Sequence, residues 1–187
     1  MTQEEINFAC ESITELLEFA QKGITIGKAP AANANGNKEQ EKGIYGLSIT
    51  MLIACAFDAM GKIGLWLNNK KGGNNRARFE HIQNEYINNS GYGFEKTQFV
   101  DCFYEKYRNG LVHSGTLEQN YLLVNNEKEK AVFDANKKTI YVQALVRMAK
   151  EVFEKLKIRC NLQSTSCQCL NNAITGSTPT IIQISKS

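Results

Sequence analysis

The sequence predicts an all-α protein, a bundle of about five helices with a small β-hairpin before the last one. Three observations predict it. Apolar residues recur at helical spacing near both ends of the chain, over residues 6–20 and 142–156. A long apolar stretch, Gly43 to Leu67, suits a central buried helix, and β-favouring runs are confined to residues 121–141. At 187 residues the chain suits one domain with a proper core, and 42% hydrophobic with 22% charged residues is the balance of a soluble globular protein. The net charge of +3 is too mild to argue for a nucleic-acid partner by itself.

Thr2 and Glu5 form a capping-box pattern that opens a helix to about Lys22. Ile6, Ala9, Cys10, Ile13, Leu16, Leu17 and Ala20 mark its buried face. Gly23 to Lys42, with Pro30, reads as a long connection. Gly43 to Leu67 would almost span a bilayer. Asp58 and Lys62 in its second half argue instead for a core helix and no membrane. Asp58 and Lys62, four residues apart, are expected to pair. Being apolar nearly all round, this helix also offers a dimer interface.

After a turn at Asn68–Asn75, a helix to about Asn88 turns Phe79, Ile82 and Tyr86 inward. Gly91-Tyr92-Gly93 then breaks the chain. Runs at Tyr121–Val124, Ala131–Phe133 and Thr139–Tyr141 predict a small antiparallel hairpin. The last helix, about Val142 to Ile158, puts Val142, Leu145, Val146, Ala149, Val152, Phe153 and Leu156 on one face. The expected division is therefore a helical domain over residues 1–160 and a Ser/Thr/Asn-rich tail over 161–187, with Ile181 to Ile184 as an added strand or part of that tail. The start, Met1 to Glu5, is acidic where a secretory signal is basic, so a cytoplasmic location with reduced thiols is expected. Cys160, Cys167 and Cys169 cluster near the end, but a metal site there needs a fourth ligand and a better spacing than Cys-x-Cys.

The chemistry gathers in the helix from Lys96 to Gly115. Val100, Phe103, Tyr104, Tyr107 and Leu111 fall on one side of its wheel, and Asp101, Glu105, Arg108, Asn109 and His113 on the other. Asn109 and His113 are four apart and share a face. Arg108 and His113 are five apart, so on a regular helix their directions diverge by roughly 140°. Two copies related by a two-fold axis can still bring the Arg of one beside the His of the other. Arg76 and His81 have the same spacing, but Ala77 stands where a polar residue follows Arg108, and His81 is expected on a helix surface.

The run Arg108-Asn109-Gly110-Leu111-Val112-His113 resembles the signature of HEPN domains, in which an Arg and a polar residue precede a His by a few positions. The resemblance implies a HEPN-like helical bundle that works as a homodimer. It implies a metal-independent endoribonuclease of the toxin–antitoxin or defence kind, with RNA as substrate, no cofactor, and an antitoxin or regulatory protein as a further partner. Arg108, Asn109 and His113 would be its catalytic residues. His113 moves a proton near neutral pH, Arg108 offers a planar fork of donors to phosphate oxygens, and Asn109 orients His113 or a ribose hydroxyl. Family members that cut nothing imply the alternative, an inactive bundle for dimerisation, nucleotide binding or protein partnership. In the subfamily paired with minimal nucleotidyltransferase antitoxins a Tyr follows the His by two residues. Gly115 stands there in this chain, which argues against that form of regulation.

Overall fold

The first helix begins where its cap is built. In the computed structural model, which describes residues 1–26, 44–70, 73–88, 91–94, 97–114 and 122–175, the backbone N–H of Thr2 donates to Glu5 Oε2 at 2.7 Å, and Glu5 N–H donates to Thr2 Oγ1 at 3.1 Å. This reciprocal pair opens α1 (Gln3–Ile26), one turn longer than its apolar pattern predicts. Most of the expected 23–42 connection, and the Ile181 to Ile184 run, lie outside the described residues. For residues 162–175 only the backbone course is described.

α2 (Ile44–Leu67) is the central element. Its Gly46–Leu67 stretch is long and apolar enough to cross a membrane, and half of it is buried within the protein. Ile53, Phe57, Met60 and Ile63 are fully buried, so much of that apolar surface belongs to the core. α1, α3 (Asn75–Ile82) and α5 (Val142–Thr175) all pack on it. Asn74 caps α3 by accepting from Ala77 N–H at 2.9 Å. The expected Asp58–Lys62 pair is replaced by a longer-range one. Asp58 Oδ2 accepts from Arg78 Nη1 at 2.7 Å, which joins α2 to α3.

α3 continues as a π-helical turn, Gln83–Ile87. A longer π-helical segment, Phe99–Arg108, then passes into α4 (Asn109–Ser114). In a π-helix each N–H reaches five residues back. That winding places Phe99, Phe103 and Tyr107 together inside, where Phe57, Phe79, Phe99 and Phe103 form an aromatic core with ring centroids 5.1–6.4 Å apart. The buried Gln83 side chain accepts from Val100 N–H at 3.0 Å and so holds the start of the segment.

The β region is larger than the hairpin the sequence predicts. β2 (Phe133–Asp134) and β3 (Thr139–Tyr141) do pair antiparallel, with Asp134 Oδ1 accepting from Asn136 and Lys137 N–H across the turn. β1 (Leu122–Val124) lies on the other side of β3 and runs parallel to it, giving the order β1-β3-β2. All seven apolar positions expected inside α5 are buried. The helix also runs on unbroken past residue 160, where the sequence places the start of the tail, to Thr175. Arg159 binds it to the rest, donating to Asn68 Oδ1 at 2.7 Å and to Glu85 Oε2 at 3.1 Å.

Candidate functional site

The motif sits where the π-helical segment becomes α4. Arg108 closes the wide winding, and the N–H of Asn109 still donates five residues back to Tyr104 O. One side of this junction is anchored by Tyr107. Its buried hydroxyl lies 2.7 Å from Lys138 O and 3.1 Å from Leu122 O, the carbonyls at the start of β3 and β1. The other side carries the polar groups toward solvent.

Arg108 Nη1 donates to Asn109 Oδ1 at 2.9 Å, and its guanidinium lies 5.6 Å from the centre of the Tyr104 ring. Asn109 Nδ2 donates to Glu105 Oε2 at 3.0 Å. The other oxygen of that carboxylate accepts from Arg76 Nη1 at 2.5 Å. Arg76 Nε in turn donates to Glu80 Oε1 at 2.9 Å. A chain of charge-assisted hydrogen bonds therefore runs from α3 through Glu105 and Asn109 to Arg108. It fixes a half-buried guanidinium at the surface without neutralising it directly.

The structure thus brings Arg108 and Asn109 together and leaves His113 apart from them. His113 is exposed, and no hydrogen bond among the described residues joins it to either. Asn109 faces back toward Glu105 rather than forward to His113. The exposed apolar Val112 stands directly before His113. Glu105 and Arg76 are supporting residues that the motif alone does not reveal. Glu105 to Asn109 has helical i, i+4 spacing and was legible as such, but the 29 residues between Arg76 and Glu105 leave no local signal.

His81 is not on a helix surface. It is buried at 6% exposure, its Nε2 has no hydrogen-bond partner, and its ring lies against Gly64 of α2. Burial pushes its imidazole below the usual histidine range, Arg159 and Lys70 act in the same direction, and Glu85 opposes them.

A cleft of about 500 Å³ opens between the end of α2 and the start of α3, and the motif residues do not line it. Trp66 and Leu65 supply its apolar wall, and Lys62 and Lys70 its charge, with Arg78 held by Asp58 and no carboxylate among the described lining residues. Among the described residues no cluster of three or more metal-ligating side chains occurs. No protein-family model, curated protein or solved structure matches the chain.

Proposed function

We propose that the protein is a metal-independent endoribonuclease of the HEPN type, acting as a homodimer in a toxin or defence setting. The 2′-hydroxyl of RNA attacks the adjacent phosphorus, the bond to the 5′-oxygen breaks, and a 2′,3′-cyclic phosphate and a 5′-hydroxyl result. His113 takes the 2′ proton and passes it on to the departing 5′-oxygen, and the partner's Arg108 stabilises charge building on the phosphate oxygens. The observation that carries this reading is the Glu105–Asn109–Arg108 chain, which holds a cationic fork in place five residues before an exposed imidazole. Val112, exposed at 43% beside that imidazole, supplies apolar surface for a second copy to cover.

Incubation of the purified protein with RNA in EDTA tests it. Cleavage is expected to persist in the chelator and to fall about 10²–10⁴-fold in His113→Ala. Arg108→Ala is expected to fall comparably, and Glu105→Gln less, because it loosens the guanidinium without removing it. RNA left intact by the wild type, together with bacterial growth equally tolerant of wild type and His113→Ala expression, would reject the enzyme.

The cleft beside Trp66 favours a second reading, a bundle that binds a small anion and cuts nothing. Lys62→Ala with Lys70→Ala separates the two. Loss of anion binding with RNA cleavage absent throughout supports the binding module, whereas cleavage unaffected by both substitutions supports the nuclease.

A further inference from the structure

The first and last helices meet at a pair of thiols. Cys10 on α1 and Cys160 on α5 lie within hydrogen-bonding reach of each other. The packing register accounts for this. Lys150 Nζ of α5 donates to Gln21 Oε1 of α1 at 3.0 Å. Gln21 lies eleven residues after Cys10, and Lys150 lies ten residues before Cys160. Those are roughly 16 and 15 Å of helix rise, so an antiparallel pair joined at Gln21 and Lys150 also brings the cysteines opposite each other. Ile13 and Leu17 on α1, and Phe153 and Leu156 on α5, are buried over the same stretch. The thiols therefore belong to a packed interface. Cys160 is buried, while Cys10 is half-exposed and open to a reagent.

The two sulfurs are not alike. A hydrogen bond from Cys160 lowers the Cys10 thiol to about 7, against the opposing effect of burial and with help from Lys157 on α5. The Cys160 thiol is raised by that same contact, by burial and by the charge of Cys10, while the nearby Arg159 opposes. Tyr86, from the π-helical turn after α3, is a further titratable group beside Cys160. At Cys102 burial and Asp101 push the thiol up, against an opposing effect of Lys106.

We propose that Cys10 and Cys160 form a reactive dithiol site that takes low-molecular-weight disulfides, such as oxidised glutathione, and closes to a bridge joining α1 to α5. The Cys10 thiolate attacks one sulfur of the reagent, the reagent's S–S bond breaks, and one thiol leaves. Cys10 then carries no charge, so its thiolate no longer holds the proton on Cys160. The Cys160 sulfur loses its proton to solvent and attacks the Cys10 sulfur, expelling the second thiol. Two protein thiols are oxidised and one small disulfide is reduced to two thiols.

The test equilibrates the full chain in mixtures of reduced and oxidised glutathione, followed by trypsin and mass spectrometry. The expected product links the Met1 to Lys22 peptide to the one that follows Arg159. That second peptide holds Cys160, Cys167 and Cys169, so fragment ions must place the bond at Cys160. The bridged protein is expected to melt on the order of 10 °C above the reduced one. Cys10→Ser and Cys160→Ser should each abolish the link, and Cys102→Ser should not. A second measurement does not need the bridge to form. The pH profile of Cys10 alkylation, half-maximal near 7 in the wild type, should move up toward the ordinary thiol range in Cys160→Ser. A stable glutathione adduct on Cys10, a bond to Cys167 or Cys169 instead, or an alkylation profile unmoved by Cys160→Ser overturns the proposal.

Discussion

His81 shows how one side chain's surroundings set a pH response. Its buried imidazole is held below the ordinary value of 6.5, chiefly by burial. An unfolded chain takes up that proton near pH 6.5, whereas the folded chain takes it up only at lower pH. The stabilisation is complete above 6.5 and is lost as pH falls toward the folded value, with a slope of up to about 1.4 kcal/mol per pH unit. Urea unfolding between pH 7.5 and 5.5 should therefore show a falling midpoint, and His81→Gln should flatten the decline. An identical slope in the variant would remove His81 as its source. The burial itself was legible only indirectly. Spacing aligns Arg76 and His81 with the motif, but the informative signal is on another helix, where Gly61 and Gly64 leave room for α3 to approach. Arg108, Asn109 and His113 could be read as a group from the sequence. The turning of Asn109 toward Glu105 could not, because it depends on Arg76 arriving from α3 to hold the far side of that carboxylate.

Among the elements, α2 and α3 approach closely at two glycines, and the contact can be probed there. A Cβ at Gly61 would lie 2.5 Å from the backbone carbonyl of Arg78, which cannot swing aside as a side chain can. Gly61→Ala should cost about 1–3 kcal/mol by overpacking. Gly46, in the same helix, has among the described residues nothing nearer than Leu123 at 3.8 Å, so Gly46→Ala should gain about 0.5–1 kcal/mol. Denaturant midpoints of the two variants check the sign of each. The helices were legible as elements because their buried faces follow a simple period, as the seven inward residues of α5 do. The π-helical winding of Phe99–Arg108 was not, since Phe99, Phe103 and Tyr107 are four apart and fit an α-helix as well. Contacts from Gln83 and the aromatic core accompany the wider form. The parallel placement of β1 beside β3 is likewise a long-range choice, fixed where the Tyr107 hydroxyl meets carbonyls of both.

At the scale of the whole molecule, the proposed nuclease needs two chains, and mixing variants tests that need. Arg108→Ala and His113→Ala protomers are each expected to be inactive alone. Combined in one dimer they rebuild a single Arg–His pair across the two-fold axis, so mixing should restore a substantial fraction of wild-type cleavage. Inactivity of the mixture, with exchange of protomers verified by light scattering and mass, would place both groups of a working site on one chain instead. The overall helical character was legible from composition and period. The length of α5 was not, because the residues beyond Cys160 are polar and lack an apolar stripe. That helix has a further consequence. Tyr141 ends β3 and Val142 begins α5, so strand and helix share a joint with no slack between them. The seat of the first turn of α5 therefore also sets that of the Lys138 carbonyl just upstream, and with it the phenol beneath Arg108.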